Sequence, residues 1–181
     1  MAELRAIVFD CDGVIADTEP VHCEAFARTL AEHGITMTRE QYYGECLGFD
    51  DEDLFTHIFT ILGRPLDAAT METLLQRKRG LYMALLDADK VALPGVATFA
   101  RLASARWPLA ICSAAIRPEV EHLTRTLGIR DCYSVIVTAE DVTATKPDPQ
   151  GYLMTLRRLN ETGRFKGRPL IADQCLVIED S

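Results

Sequence analysis

The chain has 181 residues, 48% of them hydrophobic, which is enough to bury a substantial core in one domain or in a domain with a small insertion. A formal net charge of −8 argues against a sequence-independent nucleic-acid binder. No apolar run approaches the ~20 residues of a membrane span, and the acidic Glu3 with no long apolar core behind it does not fit a secretory signal. Neither nucleic acid nor membrane is an expected partner. The six cysteines are scattered without a C-x-x-C pair, a pattern that fits buried free thiols in a reducing cytoplasm better than a disulfide framework.

The first apolar run, Leu4 to Phe9, reads as a buried strand. It ends in Asp10-Cys11-Asp12-Gly13-Val14. Side chains two apart on an extended chain point the same way, so Asp10 and Asp12 face one site at the carboxyl end of that strand. Two carboxylates so close repel unless a cation or a shared proton intervenes, and a hard divalent cation is the simplest solution. An isolated Asp-x-Asp-Gly is equally a common turn, so the rest of the chain has to decide.

Asp17-Thr18-Glu19-Pro20 is a helix-start signal, with helix capping as the expected job of Asp17 and Thr18. Phe26 and Leu30 lie on one face of that helix and Gly34 ends it. Amphipathic helices are expected from about Asp50, with Leu54, Ile58 and Ile61 inward, and from about Asp67, with Met71, Leu74 or Leu75, and Leu81 or Tyr82 at helical spacing. No strand is evident between residues 15 and 90. Val96, Phe99, Ala100 and Ala103 make the next helical face, after Pro94-Gly95. Pro108 to Cys112 is a strand ending at Ser113, and Val120, Leu123 and Leu127 mark a helix stopped by Gly128. Ser134 to Thr138 is strand-like. Lys146-Pro147-Asp148-Pro149 opens a helix with Tyr152, Leu156 and Leu159 inward, Arg164 to Arg168 reads as a solvated loop, and Cys175 to Ile178 is a strand ending in Glu179-Asp180-Ser181.

Strands alternating with helices imply an α/β fold with a parallel, Rossmann-like sheet and right-handed crossovers. The expected organisation is a catalytic core over 1–15 and 91–181 with an all-helical domain inserted over 16–90. Three strands end in polar groups, Asp10/Asp12, Ser113 and Glu179/Asp180, and Lys146 follows a fourth. Each has a plain structural reading: Ser113 as a cap for the helix near Pro118, Lys146 as a solvated lysine, Glu179-Asp180 as a polar terminus. Convergence of all four at one sheet edge is what favours a catalytic set.

This ordered set resembles the haloacid dehalogenase superfamily, in its phosphatase and phosphomutase branch. The resemblance implies that Asp10 is a nucleophile, Asp12 a general acid and base, Ser113 and the Ala114 backbone N–H holders of the phosphoryl group, and Lys146 its charge neutraliser. It also implies that Asp10, Asp180, the backbone carbonyl of Asp12 and Glu179, directly or through a water, surround Mg²⁺. The helical insertion is similar to the cap of the subgroup that includes β-phosphoglucomutase, and His22 falls where those relatives carry a histidine facing the site; as a lone helix histidine it is as readily structural.

Phosphate monoester hydrolysis is accelerated by up to ~10²¹-fold, about 28 kcal/mol, while a general acid supplies only ~10²–10⁴-fold. Electrostatic and covalent catalysis must therefore carry most of the work. Relatives with mutase activity carry an arginine near Asp51 to hold a second phosphate; this chain has acid there, and Ala115 and Ile116 offer no side-chain hydrogen bond, leaving Arg117 to compensate in part. Arg77 and Lys78 are candidates for a substrate carboxylate or phosphate, although a solvated helix face is the more usual role.

The resulting expectation is a magnesium-dependent phosphatase acting on a small phosphorylated metabolite, with a sugar phosphate as one candidate, through an aspartyl-phosphate. The alternatives are a β-phosphoglucomutase-like phosphomutase and a non-catalytic phospho-ligand binding protein. Relatives continue beyond the acidic motif, so the expected core lacks its C-terminal part and leaves the Cys175 to Ile178 strand at an exposed sheet edge. Oligomeric state is not legible.

Overall fold

The computed structural model describes residues 3–144 and 146–180, the side chains of 88 and 89 aside, so Ser181 at the polar end of the last strand lies outside the described residues. The chain divides into two compact units, one of residues 1–18 with 87–181 and one of residues 19–86.

The first unit is built on a four-stranded parallel sheet in the order β3-β2-β1-β4, with β1 at Ala6–Phe9, β2 at Leu109–Cys112, β3 at Tyr133–Val137 and β4 at Cys175–Ile178. Every residue of β1 and β2 is buried. Such strands read as continuous apolar runs because both faces of a parallel sheet are covered. Its helices are α5 (Ala88–Val91), α6 (Val96–Ser104), α7 (Arg117–Thr126) and α8 (Gln150–Glu161), and single 3₁₀ turns precede β3 and β4 and follow β3.

On one face of the sheet, Ala6, Val8, Ala110, Cys112, Val135 and Val137 form a core with Leu159 of α8, Phe165 and Leu170. On the other, Phe9 meets Phe99 of α6 with ring centroids 5.8 Å apart and Tyr133 edge-on at 5.6 Å. Gly151 in the first turn of α8 lies so close to β2 that a Cβ there would stand 2.9 Å from Cys112 Sγ. Among the described residues strands β3 and β4 are the two edges of the sheet. Leu176 and Val177, paired with Ile7 and Val8 and so on opposite faces, are 44% and 42% exposed.

The sequence reading of this unit needs correction in two places. Phe99, read as inward with Val96, Ala100 and Ala103, is half-exposed and rests on Phe9. The basic stretch 164–168 is no solvated loop throughout. Phe165 is buried under the Arg5 guanidinium, 5.1 Å from its ring, and Arg5 donates to the Arg168 carbonyl at 2.9 Å.

The second unit is helical: α1 (Glu19–Glu32), α2 (Arg39–Gln41), a π-helical turn at Tyr42–Cys46, α3 (Asp51–Ile61) and α4 (Ala68–Leu85). Asp50 and Asp67 cap α3 and α4 by accepting from the N–H groups of Asp53 at 2.8 Å and Thr70 at 2.7 Å. Phe26, Leu30, Tyr42, Leu54, Phe55, Ile58, Leu74 and Leu75 fill its core. Ile61, read as inward on α3, is exposed.

Lys78 of α4 is 1% exposed. Its ammonium pairs with Asp51 Oδ1 at 2.7 Å, lies 2.9 Å from His22 Nδ1 and sits over the rings of Phe26 and Tyr82 at 4.6 and 5.3 Å. An ammonium has no acceptor, so His22 Nδ1 must accept and the ring is neutral. Burial, then the Lys78 charge, drives the His22 pKa from 6.5 down to about 3. The unfolded chain therefore takes up a proton below about pH 6.5 that the folded chain refuses, and stability falls as pH drops toward 3. Wild type should lose about 2 kcal/mol more between pH 7 and pH 5 than His22→Gln, which keeps an acceptor for Lys78 but cannot titrate. Urea unfolding at the two pH values measures this, and equal losses would contradict it.

Candidate active site

The carboxyl ends of the four strands share one edge of the sheet. Asp10 follows β1, Ser113 follows β2, Thr138 follows β3 and Glu179 follows β4. The ladder runs to that edge: the Asp10 N–H donates to the Ile178 carbonyl at 3.0 Å, and the Ser113 N–H to Val137 at 3.0 Å. Ligands in open α/β sheets bind at this position because the strand ends leave side chains and loop amides facing one crevice.

Asp10 is buried, with Oδ1 accepting from the Cys11 N–H at 2.7 Å. The Lys146 ammonium lies 2.9 Å from Asp10 Oδ1 and 2.7 Å from Glu179 Oε1. Burial alone would lower the Lys146 pKa, but its bonds to Glu179 and Asp10 outweigh that and raise it. Burial raises the Glu179 pKa; Lys146 opposes the rise and nearby Asp10 adds to it. Asp10, Glu179 and Asp180 each offer an oxygen within 4.8 Å of the others. Three clustered carboxylates, two of them paired with one ammonium, leave an excess of negative charge, and an all-oxygen donor set is what a hard divalent cation requires. These residues therefore fit Mg²⁺.

The turn after Asp10 is built for that cluster. The Cys11 carbonyl accepts from the N–H groups of Val14, Ile15 and Ala16, and Gly13 has φ of 71°. A Cβ at Gly13 would stand 2.1 Å from Asp180 Oδ2, so a glycine is needed both for the conformation and for the space. Gly13→Ala should push Asp180 aside and weaken Mg²⁺ binding on the order of tenfold or more. Calorimetric Mg²⁺ titration checks this, and unchanged affinity would sink it.

Asp12 is outside the three-carboxylate group. Its Oδ1 accepts a hydrogen bond from the hydroxyl of buried Thr18. Thr18, read from the sequence as a helix cap, thus orients the candidate acid and base. The only signal available was a hydroxyl six residues downstream. Ser113 Oγ accepts from the Ala115 N–H at 3.0 Å, so it shapes its own loop, while the residue at the N-cap of α7 is Ile116. Ala114 is exposed beside it. Ser113, Ala114, Thr138, Lys146 and Gly151 line one recess.

Three cations considered for substrate are engaged elsewhere. Arg117 pairs with Asp141 at 2.6 Å, Arg77 makes a two-nitrogen fork onto Glu32 at 2.6–2.9 Å, and Lys78 is held by Asp51. His22 belongs to the helical unit, where its partners are Lys78 and Tyr82, the latter ring 4.3 Å away. All six cysteines are reduced, four of them buried, and burial raises the thiol pKa of Cys11 well above its ordinary value. No helix among the described residues is long and apolar enough to cross a membrane.

Comparison with known proteins agrees with this geometry. The family of haloacid dehalogenase-like hydrolases matches residues 4–181. Protein CbbY of Rhodobacter capsulatus is 32% identical over 186 residues, covering 99% of this chain and 78% of that protein. A phosphorylated carbohydrates phosphatase of Thermotoga maritima is 28% identical, covering 98% and 77%. The crystal structure of a CbbY mutant from Rhodobacter sphaeroides with xylulose-(1,5)bisphosphate superimposes with a TM-score of 0.81 at 25% identity, covering 98% of this chain and 78% of that one. This chain belongs to the haloacid dehalogenase-like hydrolases.

Proposed function

We propose that the chain is a phosphatase that hydrolyses a small phosphorylated metabolite, a sugar phosphate in the first instance, by way of a phosphoryl group carried on Asp10. The observation that carries this reading is the buried Asp10 carboxylate at the end of the central strand, 2.9 Å from the Lys146 ammonium and grouped with Glu179 and Asp180.

An Asp10 oxygen attacks phosphorus as the bond to the substrate oxygen breaks. Asp12, protonated at that stage and oriented by Thr18, gives its proton to the leaving oxygen. Asp12, now a carboxylate, takes a proton from water; the water oxygen bonds to phosphorus, the phosphorus–Asp10 bond breaks, and inorganic phosphate leaves. Lys146, the Ser113 hydroxyl and the Ala114 N–H hold the phosphoryl oxygens and offset their charge. Asp10, Asp180, the Asp12 carbonyl and Glu179 would hold Mg²⁺, which supplies charge stabilisation at the phosphoryl group when bound. We read the helical unit, which carries His22, as the cap that selects the substrate.

The relatives CbbY, crystallised with a sugar bisphosphate, and the carbohydrate phosphatase support the substrate class. Hydrolysis is favoured over phosphoryl migration because a mutase must hold a second phosphate. Here Asp51 neutralises Lys78, Asp141 engages Arg117, and Ala115 and Ile116 carry no polar side chain.

A panel of phosphorylated metabolites, assayed for phosphate release with and without Mg²⁺, tests the reading. Release must exceed that of Asp10→Ala; equal rates would overturn it. With a hexose 1-phosphate and its bisphosphate present, formation of 6-phosphate faster than free phosphate would favour the mutase.

A further inference from the structure

The segment between β3 and α8 carries Lys146, and its first turn, Ala139–Asp141, is tied to its surroundings by an unusual number of bonds. The Asp141 side chain is 16% exposed. Its Oδ2 accepts from the Thr138 N–H at 2.9 Å, the Thr138 hydroxyl at 3.1 Å and Arg117 Nη2 at 2.6 Å, and its Oδ1 accepts from Arg158 Nη2 at 2.8 Å. Both guanidinium groups also donate to the Ile136 carbonyl at 3.3 Å. Beside this hub the Arg117 N–H donates to Glu140 Oε2 at 2.8 Å, and the Ala139 N–H to the Ala115 carbonyl at 3.1 Å. Burial works against the Asp141 charge, yet Arg158, Thr138 and Arg117 hold its pKa at about 2.

Arg117 opens α7, directly after the loop that begins at Ser113, and Arg158 lies on α8, the helix that follows the Lys146 loop. One carboxylate therefore joins the end of β3, the far end of the Ser113 loop and the helix beyond Lys146. These loops carry the two arms of the phosphate recess, and among their described residues neither has a regular strand ladder to hold it. A charge-assisted fork between two arginines is a stiff fastening compared with a single exposed pair. Displacement of a catalytic group by about 1 Å can cost ~10²-fold in rate.

We infer that Asp141 is a positioning residue for phosphoryl transfer, holding the Ser113–Ala114 loop and the Lys146 loop in one geometry. The inference rests on the phosphatase reading above. Asp141 acts through Arg117 and Arg158 and is not placed against the reacting atoms.

The test compares wild type, Asp141→Asn and Arg158→Gln on the best substrate from the panel, at a temperature where circular dichroism shows each fully folded. Arg158→Gln leaves the Asp141–Arg117 pair in place and serves if Asp141→Asn does not fold. Asp141→Asn is expected to lower kcat 10- to 100-fold and weaken inhibition by inorganic phosphate several-fold, with a smaller loss of the same kind for Arg158→Gln. Adding Asp141→Asn to Ser113→Ala should cost less than it costs wild type, because one arm to be positioned is already gone. A purely architectural Asp141 would lower Tm while the folded variants kept wild-type kcat, KM and phosphate inhibition, and that result would overturn the inference. Wild type inactive on the whole panel overturns the phosphatase reading itself.

Discussion

Asp10→Asn should lose phosphate release by about 10⁴-fold or more while its Tm holds or rises. The rate falls because an amide is a poor nucleophile toward phosphorus, and removal of a nucleophile takes away a whole covalent route rather than one contact. Stability moves the other way for an electrostatic reason. Asp10, Glu179 and Asp180 bring their carboxylates within 4.8 Å of one another with one ammonium paired to the first two, and in the absence of a cation that arrangement is repulsive. Neutralising one of the three relieves it, as is common where a site is built for function at some cost in stability. Added Mg²⁺ should raise the Tm of wild type more than that of Asp10→Asn, because binding to the folded state alone shifts its equilibrium and the variant has lost a charged ligand. Initial rates and thermal melts, each with and without Mg²⁺, check both halves. A variant with more than a hundredth of wild-type activity would remove Asp10 from the nucleophile's role.

The second large effect concerns Asp12, and it depends on the leaving group. With an alkyl phosphate, expulsion of an alkoxide needs a proton, so Asp12→Ala should slow the first step by ~10²–10⁴-fold. With an aryl phosphate such as p-nitrophenyl phosphate, the leaving phenolate needs little help, and the first step should proceed at a substantial fraction of the wild-type rate. The second step still lacks its base for water. Rapid mixing of Asp12→Ala with the aryl substrate should then release one phenolate per enzyme in a burst, followed by slow turnover. The phosphoryl group would be left on Asp10. Thr18→Val removes the hydroxyl that orients Asp12 and should show the same pattern in weaker form. Equal losses on alkyl and aryl substrates, with no burst, would mean that Asp12 is not the proton donor.

The parts of this molecule that were legible in the sequence are those where neighbouring residues decide the outcome. Cys175 to Ile178 is a strand with the limits expected of it, β2 starts one residue later than expected, β3 is shifted by one residue, and β1 starts two residues later, at Ala6. Short apolar runs rich in branched residues can be satisfied only between covered faces. The helix starts at about Asp50 and Asp67 were equally visible, and the structure makes both residues caps, each a local bond between a side chain and an N–H three residues on. Once the strands are parallel, their polar ends have to meet, and Asp10, Ser113 and Glu179 do share one sheet edge. The π-helical turn at Tyr42–Cys46 was not legible, since its wider spacing leaves no regular period to detect.

By itself, then, the sequence determined the strand–helix order, the sheet edge and the acidic and basic groups gathered there, since those follow from periodicity and from residue types at strand ends. Tertiary structure alone decided the partners of charged and polar side chains. Lys78 reads as a solvated helix lysine, yet it is buried because Asp51 and His22, 27 and 56 residues away, supply its bonds. Arg117 reads as available to a ligand, yet Asp141, 24 residues on, engages it. Thr18 reads as a cap before α1, and only the fold shows that its hydroxyl also donates to Asp12. A long polar side chain can reach many partners, and only packing between distant segments selects one of them. The sequence therefore announces that a phosphoryl site exists, and the folded chain decides which of its charges remain to serve it.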